Sequence, residues 1–316
     1  MQSERWNFRN LPSSKEEAIT WAQNQGLLRT SKMCPKHRKP MKLYRETEHG
    51  LGRFRCPAYP GGRKCKQYAA TVDSFFEDIR LPLHKAITLI YCFTRDFSYD
   101  YTAHELADFA LGEEATTTSP STIAAWYHYC REMITDQFIK IQAGQPKLGG
   151  ISESGSPIVV QIDEAKFGKR KYNRGRVVEG HWVLGIVDTE TNDCRMIVVA
   201  NREAQTLISI IKEHVAMGSE IHTDSFKSYA GLAAEGFVHR TVNHSIEFVS
   251  TDGTHTQKIE STWRPAKDWM RGRGRFHDSE FADRLCEYLW RRFCRHHKVD
   301  LFGSMIEAIR SQYVFK

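Results

Sequence analysis

The sequence predicts an α/β protein, a mixed β-sheet with helices on its faces, preceded by a small cysteine-bearing module and a helical region. Three observations predict it. Residues 158–295 read strand, strand, strand, helix, strand, helix, strand, helix. Three strands joined by short turns before that alternation give a mixed rather than purely parallel sheet. Upstream, Cys34 and His37 have the spacing of metal ligands, Cys56 and Cys65 (nine apart instead of the usual three or so) can complete the set, and residues 73–141 carry helix start signals.

At 316 residues the chain is long enough for two domains or more. Its 45 Lys and Arg against 38 Asp and Glu give a net charge of +7, which favours a polyanionic partner without requiring one. No apolar run approaches the roughly 20 residues of a membrane span. The densest, residues 87–93, is far too short, and the opening Met1 to Trp6 has no apolar signal core. An intracellular protein is expected, so the 8 cysteines read as metal ligands and buried thiols rather than disulfides.

Residues 1–30 form an N-terminal arm and helix. Ser13 or Ser14, followed by Glu16 and Glu17, is a helix start for residues 18–22, and Gly26 ends it. Residues 31–72 form a module with Cys34-Pro35-Lys36-His37 on one tight turn, and with Cys56 and Cys65 on a second knuckle that the insert 57–64 lengthens. The four can close a tetrahedral zinc site, which would stabilise so short a unit directly. Buried free thiols are the alternative, and His49 is a spare ligand.

Residues 73–141 read as helical. A stretch around residues 101–110 is followed by a polar turn and then Ser119-Pro120-Ser121-Thr122-Ile123, a Ser-capped helix with Pro in its first turn. That is the grammar of a helix-turn-helix, in which Ser121 and Thr122 would reach base edges while Ile123 and Trp126 pack inward. A plain helical hairpin reads the same way. Residues 142–157, rich in Gly and Ser, read as a linker.

Residues 158–297 form the α/β domain, and residues 298–316 a C-terminal tail. Strands are expected at 158–163, 181–188, 194–200, 220–224 and 239–242, with helices at 205–215, 226–234 and 263–271. Asp163 and Asp224 each end a strand, and Glu260 and Lys267 lie further on. A strand-terminal Asp taken singly is more often a cap or turn residue. Two of them with a later Glu meet the need of a site for two magnesium (or manganese) ions, roughly 3.5–4 Å apart, that clamp the oxygens of a phosphoryl transfer. Seven residues is about two helical turns, so Glu260, Trp263 and Lys267 share one face. Pro265 predicts a helix beginning near Thr262 or Trp263. Glu164 points to the opposite strand face from Asp163 and is left out, and Asp188 is the nearest decoy.

Basic residues flank the acids. Lys166, Lys169, Arg170, Lys171, Arg174 and Arg176 follow Asp163, and Lys258, Arg264, Lys267, Arg271, Arg273 and Arg275 surround Glu260. Such runs are commonly solvated faces; on both sides of an acidic centre they suit DNA phosphates. Tyr172 and Trp269 could stack on unpaired bases.

Ile162-Asp163-Glu164, Lys166-Phe167, the basic run 169–176, Gly180-His181-Trp182-Val183, Asp224 to Tyr229, Val242-Asn243-His244-Ser245, residues 255–263 and Lys267 together resemble the catalytic core of Merlin-type DNA transposases. Their bacterial insertion-sequence relatives, the ISXO2-like DDE family, share the pattern, which covers most of residues 31–295.

The resemblance implies a ribonuclease H-like fold with Asp163 on the first strand, Asp224 at the end of the fourth and Glu260 on the closing helix. It implies a zinc ribbon, usually with cysteine where this chain has His37, and recognition of terminal inverted repeats by the helical region. It further implies cut-and-paste transposition: cleavage at element ends, joining of the 3′ hydroxyl to target DNA, and a dimer or larger synaptic assembly. Some bacterial relatives place the third ligand at the position of Gln257, a poor magnesium ligand beside a carboxylate, so Glu260 is chosen here. The same pattern leans towards a eukaryotic nucleus, with residues 169–176 as an import signal; otherwise a bacterial cytoplasm is expected. The rival readings are a domesticated, non-catalytic DNA-binding protein and a structure-specific nuclease of the same fold.

Overall fold

The computed structural model describes residues 6–44, 50–58, 65–108, 116–168, 180–242, 254–274 and 276–315. They form two compact units, residues 1–139 with 294–316, and residues 140–293.

In the first unit, helix α1 (Lys15–Asn24) is capped by Ser14, whose hydroxyl accepts from Glu17 N at 3.2 Å. Gly26, at φ +71°, lets the chain leave the helix through the left-handed region. Strands β1 (Lys32–Met33), β2 (Pro40–Tyr44), β3 (Arg53–Arg55) and β4 (Tyr68–Ala69) follow as an antiparallel meander. Alternation sends Met41, Leu43, Phe54 and Tyr68 into a small core with Cys34, Cys56 and Cys65.

Helix α2 (Leu83–Thr94) is buried over most of its length, as its apolar run requires. Helix α3 (Tyr99–Glu105) precedes α4 (Pro120–Gly144), and the Ser119 hydroxyl accepts from Thr122 N at 3.2 Å as the expected cap. Between them Asp108 and Thr116 form an antiparallel bridge, and residues 109–115 lie outside the described residues. The C-terminal stretch expected as a tail is instead a helix, Leu301–Gln312. Phe302, Met305, Ile306 and Ile309, at helical spacing, are buried, and Phe302 packs with Trp6, Trp21 and Tyr91 at ring separations of 5.5–5.9 Å.

The second unit is built on β5 (Val159–Phe167), β6 (His181–Asp188), β7 (Cys194–Val199), β8 (Glu220–Asp224) and β9 (Val238–Val242), in the spatial order β7-β6-β5-β8-β9. β5, β6 and β7 pair antiparallel, whereas β8 runs parallel to β5 and β9 parallel to β8. One face is covered by α5 (Ala204–His214), whose Leu207 and Ile211 meet Ile162, Leu184 and Ile186. The other packs against α6 (Gln257–Gly272). Helix α7 (Phe281–His296) follows, its Phe281 ring stacked on His181 at 4.1 Å. This is the mixed sheet with helices that was expected, and it carries Asp163, Asp224 and Glu260 on the elements that a ribonuclease H-like fold implies.

Three expectations change. Residues 226–234 form a 3-10 turn at Lys227–Tyr229 and further turns instead of an α-helix. Tyr229 and Leu232 are both fully buried, and 3-10 geometry brings positions three apart into line. Helix α6 begins at Gln257 and continues through Pro265, because the carbonyl left without a donor is that of exposed Ser261. Within the Gly-rich stretch expected as a linker, Leu148 is buried, donates to His214 O at 2.8 Å and accepts from Ala216 N at 2.8 Å. No described helix is long and apolar enough to cross a membrane.

Candidate active site and candidate metal centre

Asp163 lies mid-way along β5, opposite Gly185 of β6. A Cβ on Gly185 would meet Trp263 Cη2 at 2.5 Å and Ile259 Cδ1 at 2.8 Å, so a glycine is what lets α6 settle on the sheet here. The Trp263 indole N–H then donates to Asp163 Oδ2 at 2.8 Å. Burial raises the pKa of Asp163 most; the Trp263 hydrogen bond and the Glu164 backbone oppose it, and the charges of Asp224 and Glu260 add to it. Lys267 is also near: burial lowers its pKa while the Asp163 charge raises it, and its Nζ sits 5.5 Å from the Phe167 ring centroid. The charges of the other three residues expected to carry chemistry thus all bear on Asp163. The three carboxylates do not form a single cluster within 4.8 Å among the described residues, so a shared pair of ions would have to be spanned and not held at one point.

Asp224 ends β8, and its Oδ1 accepts from Phe226 N at 3.0 Å, which turns the chain away from the sheet. Glu260 is exposed in the first turn of α6, with the Thr256 hydroxyl donating to its Oε1 at 2.8 Å. The start of that helix is set from the sheet. Fully buried Gln161 on β5 accepts from Lys258 N at 2.9 Å and Ile259 N at 3.1 Å, while its amide meets His255 Nδ1 at 3.1 Å. Gln161 therefore takes two of the orphan donors of the helix that carries Glu260. Sequence reasoning missed it, although an amide between Val160 and Ile162 in a buried strand is a visible signal.

Glu164, next to Asp163 on β5, faces the α5 side of the sheet. Burial first, then the Asp224 charge, pushes its pKa up to about 7. Its Oε1 and the Tyr229 hydroxyl are both buried without a hydrogen-bond partner. The Asp188 carboxylate accepts from the backbone N–H groups of Gly149, Glu190 and Thr191 at 2.8–2.9 Å.

The basic residues are placed unevenly. Lys166 Nζ lies 5.5 Å from the Trp182 ring centroid, which the Arg202 guanidinium also covers at 3.7 Å. Lys258 donates to the Thr189 carbonyl. Exposed Arg264 and Arg271 both pair with Asp268. Arg273 lies 4.3 Å from the Trp269 ring, which also packs on Tyr288, so Trp269 is not a bare stacking platform. Ser121 is exposed and Thr122 half-buried at the start of α4. Lys169, Arg170, Lys171, Tyr172, Arg174, Arg176, His49, Asn243, His244 and Arg275 lie outside the described residues.

In the first unit, Cys34, His37, Cys56 and Cys65 bring their ligand atoms within 4.8 Å of one another. His37 Nδ1 stands 3.6 Å from Cys34 Sγ, 3.5 Å from Cys56 Sγ and 3.3 Å from Cys65 Sγ. Tetrahedral zinc with Zn–S near 2.3 Å and Zn–N near 2.05 Å requires about 3.6 Å between such atoms. The His37 backbone holds the Cys34 thiol down to about 6, which favours the thiolate a metal needs. Burial pushes Cys65 up to about 11. The donor set and its spacing fit zinc.

Residues 149–292 match the ISXO2-like transposase domain family. An uncharacterized transposase-like protein of Haemophilus influenzae is 33% identical over 95 residues, 30% of this chain and 76% of that protein. Among solved structures, the HTLV-2 integrase catalytic core domain in complex with magnesium is 13% identical, with a TM-score of 0.29 over 42% of this chain and 82% of that one. The BIV integrase catalytic core is 14% identical, with a TM-score of 0.29 over 40% and 79%. Those two likenesses are too slight to bear on this chain's chemistry. The family match over the α/β unit and the Haemophilus relative establish that this chain belongs to the ISXO2-like, insertion-sequence-related DDE transposases.

Proposed function

We propose that the chain is a cut-and-paste DNA transposase in which Asp163, Asp224 and Glu260 hold two magnesium or manganese ions and Lys267 contacts DNA phosphate. The observation that carries this reading is the surroundings of Asp163, a half-buried carboxylate on which the charges of Asp224, Glu260 and Lys267 all act. Burial and two like charges make an ionised Asp163 costly, so a cation at this place is favoured. Hard carboxylate oxygens suit magnesium and manganese rather than a thiophilic metal.

When bound, such ions neutralise charge on the attacking and leaving oxygens of an in-line phosphoryl displacement. The chain's own groups supply the positioning. Trp263 holds one oxygen of Asp163, Thr256 holds one oxygen of Glu260, and Gln161 fixes the helical turn from which Glu260 projects. Lys267, on the same helix, adds a positive charge for the DNA backbone. Zinc at Cys34, His37, Cys56 and Cys65 would be structural, since four protein ligands leave no open coordination position. Two element ends must meet in one reaction, so the working form is a dimer or larger, and a eukaryotic copy would act in the nucleus.

A magnesium-dependent strand-transfer assay with a pre-cleaved element end tests the reading. Asp163→Asn, Asp224→Asn and Glu260→Gln are each expected to lower joined product by about a hundredfold or more. Cutting without joining would identify a nuclease, and DNA binding without either reaction a non-catalytic protein.

A further inference from the structure

The first unit contains a cleft of about 800 Å³ that belongs neither to the metal cluster nor to the acids. One wall is the face of the meander turned away from its cysteine core. Alternation along β3 buries Phe54 and leaves Arg53 and Arg55 on this side, beside Tyr44 of β2. Lys15 of α1, Arg80 and His84 complete the lining. Asp78 is the one carboxylate among the described lining residues, which include the cations Lys15, Arg53, Arg55 and Arg80; Lys15 and Arg55 have partners of their own, and Arg53 and Arg80 are exposed.

Three features make this more than a solvated basic surface. The Arg55 guanidinium lies over the Tyr44 ring at 5.3 Å, so its orientation is fixed by stacking instead of being free to wave in solvent. Burial lowers the pKa of His84, and its Nδ1 is buried without a hydrogen-bond partner. Arg53 and Arg55 stand two residues apart on a strand, about 6.6 Å along it. That repeat addresses successive charges of an anionic chain better than one compact anion.

We infer that this cleft binds the phosphodiester backbone of DNA, with Arg53, Arg55 and Arg80 of its lining as the phosphate contacts. The inference rests on the reading that the chain acts on DNA, and it adds a grip that is separate from the acidic centre. It also gives the meander a role that base-reading side chains are not needed for, since phosphate contacts set register and affinity without carrying sequence.

The experiment uses the full chain with zinc retained and magnesium omitted, so that no strand is cut. Anisotropy titrations of a 30-base-pair duplex, and separately of one of its single strands, are run between 50 and 200 mM salt. Each lost phosphate contact lowers the slope of log K against log salt by about 0.9 on duplex and about 0.7 on a single strand. Arg53→Gln with Arg80→Gln, both at exposed positions, should lower the duplex slope by about 1.8. Across that fourfold change in salt the parent should then weaken about 12-fold more than the variant.

A charge-matched control removes Arg9 and Lys298, exposed cations outside the lining, and should leave the slope unchanged. An unchanged slope in the cleft variant on both probes overturns the inference, as does an equal loss in the control. The two readings separate cleanly. A lowered slope from a parent that never joins strands keeps the cleft and removes the transposase reaction. An unchanged slope with Asp163-dependent strand transfer does the reverse.

Discussion

The Trp263 indole N–H donates to Asp163 Oδ2 at 2.8 Å, so the helix that presents Glu260 also holds the carboxylate on the central strand. Trp263→Phe keeps the ring packing and removes the donor. A neutral donor to a carboxylate favours its ionised form, so the Asp163 pKa should rise further and its hold on a divalent ion weaken. Loss of such an outer contact typically costs about 10- to 100-fold in metal affinity or activity. Strand transfer measured against magnesium concentration should show the midpoint moved upward; a midpoint equal to the parent's would remove Trp263 from the site.

Gln161→Leu keeps volume in the sheet but leaves Lys258 N and Ile259 N without their acceptor. Unpaired buried donors cost about 1–3 kcal/mol each. Amide hydrogen exchange should quicken at residues 258 and 259 before the rest of α6 responds, and joined product should fall with it. Unchanged protection there would show that the helix starts without help from β5.

Gly185→Ala places a methyl group 2.5 Å from Trp263. Overpacking of this kind costs about 1–3 kcal/mol, here by lifting α6 from β6. The expected result is a Tm lower by several degrees together with lost strand transfer. A parent-like Tm would mean that the helix has slack at this crossing.

Glu164→Gln should change how stability depends on pH. The folded state holds the Glu164 carboxyl up to about 7 through burial and the Asp224 charge, above the ordinary glutamate range. The proton is therefore held more tightly when folded, and the parent loses stability as pH rises from the ordinary range to about 7, then no further. The glutamine variant has no such loss. Its Tm advantage should be absent at pH 4, grow up to pH 7 and then level off; melting curves that stay parallel throughout would contradict this placement.

Zinc should be present at one ion per chain and absent from Cys65→Ser after dialysis against a chelator. Four of the residues buried around the cluster, Cys34, Met41, Phe54 and Cys56, are nearly all the core that the small sheet has. Metal removal should then melt this sheet ahead of the α/β unit, read as an added low-temperature transition. Elemental analysis without zinc, or a single unaltered transition, would leave the cluster as packed thiols.

The amino-acid sequence alone determined the features that depend on near neighbours along the chain. Strands at 181–188 and 220–224 follow from their apolar runs and turn residues, and both are present with those bounds. The Ser14 and Ser119 caps are equally local. The helix at Leu301–Gln312 has a local signal too, in the helical spacing of Phe302, Met305, Ile306 and Ile309. Only the tertiary structure decided that Gln161 starts α6, that Gly185 admits Trp263 and that Glu164 sits half-buried under the influence of the Asp224 charge. The reason is physical. Gln161 and Ile259 are 98 positions apart and Asp163 and Trp263 are 100, so whether they touch depends on strand register and on how one helix packs against the sheet. Residue periodicity carries neither.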